Sequence, residues 1–108
     1  MQEWVILEGK AEEDLSTIIR SLDELKLTML FPVNILGRGF TYYYEDWISE
    51  LTIEEGEIRG QVQGSVLYQV RLWKRGIELV GSCSCPHEAK CKHMAAILIA
   101  AMHKIQAE

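Results

Sequence analysis

The stretch Cys83-Ser-Cys85-Pro-His-Glu-Ala-Lys-Cys91-Lys-His93 constrains this chain more than any other part of it. All 3 cysteines of the 108 residues fall within nine positions. An odd number so tightly grouped fits a disulfide framework poorly and metal ligation in a reducing compartment well. Cys83 and Cys85 are two apart, and side chains two apart on an extended chain point the same way, so both face one ion if they end a strand. On a tetrahedral zinc with bonds of about 2.3 Å, two thiolates sit roughly 3.8 Å apart. The strand must therefore bend, and Pro86 helps it break.

Cys91 and His93 obey different geometry. Residues two apart in a helix point to nearly opposite sides, so the expected arrangement has Cys91 just before a helix or at its cap and His93 in the first turn. Ala96, three residues on, is small enough to leave room beside the site. Three thiolates and a neutral imidazole leave a divalent cation at about −1, which the helix N-terminus, Lys90 and Lys92 are placed to offset. Four protein ligands leave no open position, the mark of a structural zinc and not a catalytic one. His87, in the intervening loop, is an alternative to His93 as fourth ligand. His103, late in the helix, is expected at the surface and not on the metal.

The last element, about residues 91–105, places Met94, Ile97, Leu98, Ala101, Met102 and Ile105 on one face. Ala95, Ala96, Ile99 and Ala100 make the other face apolar too, so the helix is expected to be buried on more than one side, either by the N-terminal helix or by a partner over Ala95 and Ile99. Upstream, residues 12–30 space Leu15, Ile18, Ile19, Leu22 and Leu25 as an amphipathic helix ending before Pro32. A second helix is predicted from Asn34 as cap, with Ile35, Leu36, Phe40, Tyr43, Tyr44 and Trp47 on a common face. Its aromatics are read as core or as interface.

From Ile48 to Cys83 the apolar period changes to two, and the EEGE and KRG groups mark turns, which predicts an antiparallel meander of about four strands. The fold class is thus α+β: N-terminal helices, meander, zinc knuckle and C-terminal helix. Residues 1–33 form a helical segment and 34–108 the zinc-binding part, as one compact unit. With 48% hydrophobic and 25% charged residues, one core is expected. No apolar run reaches membrane-spanning length and the first residues lack the order of a secretion signal, so a cytoplasmic protein is expected.

Net charge is −5, unhelpful for holding phosphates, but it is unevenly spread: residues 1–65 carry 5 Lys/Arg against 13 Asp/Glu, and residues 66–108 carry 6 against 3. The string CSCPHEAKCKHMAA resembles the SWIM zinc finger, C-x-C followed by C-x-H-x-x-A, with Ala96 in the last place. Arg38, Gly39, Tyr42 and Tyr43 resemble the R-G-x-x-Y-Y segment that precedes the strands in bacterial and archaeal members, so the likeness runs over about 34–105. It implies one zinc ion and a role in protein or nucleic-acid recognition, since such domains occur in helicase-like ATPases, transposases and small mediators that pair with recombinase paralogues.

Two functions follow. One is a non-catalytic adaptor for another protein, such as a recombinase paralogue or helicase-like ATPase, in a DNA repair, recombination or remodelling setting, using Ile99 and the aromatics. The other is a DNA-binding finger in which Arg71, Trp73, Lys74 and Arg75 of the hairpin join Lys90 and Lys92. The same cations also read as a solvated hairpin tip and as charge compensation at the metal. No phosphate-binding glycine loop, serine nucleophile elbow or carboxylate pair is present, so neither an enzyme nor a small-molecule substrate is expected.

Overall fold

The computed structural model describes residues 2–9, 13–86 and 90–108. Its elements run β1 (Glu3–Glu8), α1 (Leu15–Arg20), α2 (Glu24–Leu30), α3 (Val33–Tyr44), β2 (Ile48–Glu54), β3 (Glu57–Gln63), β4 (Leu67–Arg75), β5 (Glu78–Cys83) and α4 (Lys92–Gln106). This is the α+β arrangement that the periodicities predict. The sheet has five antiparallel strands in the order β1-β5-β4-β3-β2. Strands β2 to β5 are the meander, turning at Gly56 and Gly76, both with the positive φ that a tight turn requires.

Strand β1 is an addition to the reading. Among the described residues it pairs with β5 alone; it buries Ile6, half-buries Trp4 and Leu7, and carries a register shift between Val5 and Leu7. The shift breaks the simple alternation, and six residues with both faces partly apolar leave little periodic signal.

The single helix expected over 12–30 is two. Asp14 accepts from the Thr17 N–H and caps α1, and Asp23 accepts from the Lys26 N–H at 2.8 Å and caps α2. An aspartate that bonds its own backbone two or three residues on starts a new helix more readily than it continues an old one. The break rotates α2, so Leu27 is buried while Leu25, assigned to the buried face, is 74% exposed. Asp23→Ala is expected to cost about 1 kcal/mol of stability, read as a lowered urea midpoint at unchanged slope.

Helix α4 lies at the centre. Every residue from His93 to Met102 is buried, as is Ile105. One side packs on the sheet, where the absence of a side chain at Gly60 admits Ile97: a Cβ there would lie 2.3 Å from Ile97 Cδ1. The other side is covered chiefly by α3, with α1 beside it. Gly39 of α3 permits that approach, since a Cβ on it would meet Ala95 Cβ at 2.7 Å and the Ala96 nitrogen at 3.1 Å. The expected docking patch over Ala95 and Ile99 is therefore corrected: both are 0% exposed because α3 and the sheet fill the two faces. Helix α3 begins at Val33, with Pro32 and not Asn34 at the cap position. The N-terminal and C-terminal parts share one core, from Ile6 and Leu15 through Ile105. Among the described residues no helix is long and apolar enough to cross a membrane.

Candidate metal centre

The backbone delivers four donors to one point. Strand β5 ends at Cys83, and Cys85 follows in the bend before Pro86. Cys91 occupies the N-cap of α4 in an extended conformation (φ −106°, ψ 167°), which lets its side chain turn back while His93 projects from the first turn. The side-chain donors of Cys83, Cys85, Cys91 and His93 all lie within 4.8 Å of one another. His87 lies outside the described residues.

This donor set fits a zinc ion. His93 Nδ1 stands 3.7 Å from Cys83 Sγ and 3.8 Å from Cys91 Sγ, against the roughly 3.6 Å that tetrahedral zinc with ordinary Zn–S and Zn–N bonds imposes between sulfur and nitrogen. Both separations are longer than a good hydrogen bond, so the imidazole and thiols gain little from one another directly. The thiols are also electrostatically unlike one another. The neighbouring Cys83 thiol holds the Cys91 thiol below its usual range, while that same neighbour and burial push Cys83 up. The sulfurs are crowded and half to fully buried, and a divalent cation at their centre stabilises the deprotonated forms together.

Surrounding residues fix the imidazole. The Tyr68 ring stacks on His93 at 4.2 Å and 28°, and the Tyr42 ring tilts against it at 5.4 Å. Gly64 leaves space for this clamp, because a Cβ there would come within 2.8 Å of Tyr68 Cε2. His93 Nε2, on the side of the ring away from the sulfurs, is buried and has no hydrogen-bond partner among the described residues. Nδ1, the ring nitrogen beside the Cys83 and Cys91 sulfurs, is the one offered to the metal. In the sequence Tyr68 looks like one more alternating strand residue, and only the β4 register places it over the ring.

Across residues 68–102 the chain matches the family described as the SWIM zinc finger. This segment is a SWIM zinc finger. No curated protein and no solved structure matches the chain. The SWIM match runs from Tyr68 in β4 to Met102 in α4 and contains all four donors, so one zinc ion is the cofactor that this site takes. The R-G-x-x-Y-Y segment lies outside it, on α3, and its contacts account for most of it. Gly39 admits α4, Tyr42 touches His93, and the Tyr43 hydroxyl meets His103 Nδ1 at 2.8 Å. His103, expected at the surface, is half-buried by that contact.

The expected contact residues separate in space. Arg71 and Arg59 both bond the Glu57 carboxylate, and their pull holds it below the usual glutamate range. The Arg71 guanidinium lies over the Trp73 ring at 4.2 Å. Arg75 pairs with Glu3 at 2.7 Å and with Glu78 at 3.4 Å. Lys74 is half-buried in the neighbourhood of Asp14. Lys90 donates to the Leu30 carbonyl at the C-terminus of α2, over the Phe31 ring. It thereby ties the metal loop to that helix, and burial lowers its pKa. Lys92, the first residue of α4, is half-buried beside the ligands.

Proposed function

We propose that this SWIM zinc finger is a non-catalytic, protein-binding adaptor, with Cys83, Cys85, Cys91 and His93 as its zinc ligands. The intended setting is DNA repair, recombination or remodelling, with a recombinase paralogue or helicase-like ATPase as partner. Four protein donors close the coordination sphere of the ion and leave no site for a reacting water. Residues 1–33 and the zinc-binding part, 34–108, act as one unit, a reading supported by the core they share.

The observation that carries the adaptor reading is on α2. Leu25 and Met29, 74% and 78% exposed, are four residues apart and so lie on one helix face, and Val33 at the start of α3 is 81% exposed. Helix-borne apolar side chains left this open serve as anchors for a partner. The docking surface is thus moved from Ile99 to α2.

The test is affinity capture from the native host with zinc-loaded protein, wild type against Leu25→Asp/Met29→Asp. The wild type is expected to retain a recombinase paralogue or ATPase, and the double variant to lose it by about thirtyfold in affinity, as when anchors worth about 2 kcal/mol are removed. Equal recovery by both proteins, or neither protein class with the wild type, contradicts the reading.

A further inference from the structure

Arg38 is the one member of the R-G-x-x-Y-Y segment that the packing of α3 on α4 does not explain. It is exposed. Together with Lys92, Ile35, Tyr68 and Pro86 it lines a cavity of about 370 Å³ alongside Cys85, Cys91 and His93. Two cations from different helices thus line one cavity, and among the described residues that line it none carries a carboxylate. With a zinc cluster of about −1, Arg38 and Lys92 leave the pocket at about +1, and the positive end of the α4 dipole adds to it.

We propose that this pocket binds a phosphate group carried on a nucleotide. A planar guanidinium and an ammonium on the wall of one cavity suit two phosphate oxygens, the first by paired N–H donors and the second as a point charge. The volume exceeds what one phosphate needs. Ile35, Pro86 and Tyr68 supply an apolar and aromatic wall for the attached sugar or base, where aromatic contact adds to charge. Because Arg71 and Arg75 of the hairpin are held by carboxylates, the phosphate site falls at the metal end of the molecule, on Arg38, a residue outside the hairpin. The proposal does not rest on the adaptor reading, whose surface is on α2.

The test uses the zinc-loaded full chain in NMR titrations with inorganic phosphate, thymidine monophosphate and a short oligothymidylate. Thymidine monophosphate and the oligonucleotide are expected to shift the Arg38 side-chain and Lys92 backbone signals saturably. Tighter binding of the oligonucleotide identifies a strand as the source of the phosphate, and equal binding a free nucleotide. Arg38→Gln is expected to weaken both at least tenfold with zinc content and circular dichroism unchanged, and Arg38→Gln/Lys92→Gln further still. Leu25→Asp/Met29→Asp is expected to bind them as the wild type does. Shifts confined to other residues, undiminished affinity in Arg38→Gln, or inorganic phosphate binding as tightly as the nucleotide would overturn the proposal.

Discussion

Removing the zinc, by a strong chelator or by Cys91→Ala, is expected to unfold the molecule as a whole and not just the metal loop and α4. The knuckle holds the start of α4, and α4 supplies buried residues continuously from His93 to Met102 to a core shared with the sheet, α1 and α3. A metal site of this type contributes on the order of 10 kcal/mol to folding, comparable to the whole stability of a small domain. Without the cation, the three sulfurs and His93 remain crowded within 4.8 Å and mostly out of water, and mutual repulsion among any thiolates adds to the loss. Far-ultraviolet circular dichroism and amide NMR dispersion, recorded before and after metal removal verified by elemental analysis, check this. An unchanged spectrum contradicts it.

The second large effect is a pair of substitutions with opposite signs on one helix. Gly37 and Gly39 both sit inside α3, where alanine is intrinsically better than glycine by about 1 kcal/mol. At Gly37 a Cβ meets nothing within 4 Å, so Gly37→Ala is expected to stabilise by up to about that amount. At Gly39 the Cβ would lie 2.7 Å from Ala95 Cβ, 3.1 Å from the Ala96 nitrogen and 3.2 Å from the Ala95 carbonyl carbon. Two of those neighbours are backbone of the central helix and cannot swing aside. Overpacking of this kind costs about 1–3 kcal/mol, and larger side chains cost more, so Gly39→Ala is expected to destabilise and Gly39→Val to do so severely. Thermal melts of the zinc-loaded proteins read the difference at roughly 4–8 °C per kcal/mol in a domain of this size. Alanine moving the midpoint the same way at both positions contradicts the close α3–α4 packing.

What could be read from the sequence was whatever local chemistry decides. The strand end at Cys83, the cap at Cys91 and the first-turn position of His93 follow from ligand spacing alone, because two residues apart means one thing on a strand and another on a helix. The four meander strands follow from alternation and from glycine at the turns. What could not be read depends on partners distant in sequence. Strand β1 acquires its identity from pairing with β5, seventy residues away, and its own run of apolar side chains fits either regular structure. The all-round apolar character of α4 shows that it has two packed faces without showing what packs there: the N-terminal helix and a partner over Ile99 both fit the sequence, and α3 and the sheet occupy the place. The signal for the break in 12–30 was present in Asp23, three residues ahead of the Lys26 N–H that it caps. Leu22, Leu25 and Leu27 fit a continuous helix nearly as well, so the period obscured the cap.

The central claim is that one zinc ion, held by Cys83, Cys85, Cys91 and His93, joins the end of the meander to α4. X-ray absorption on the purified protein, with metal content measured in the same sample, tests it most directly. The expected result is one zinc per chain coordinated by three sulfurs and one nitrogen, with His93→Ala losing the nitrogen. A protein that stays folded without metal, or a zinc that keeps its nitrogen in His93→Ala, would contradict it.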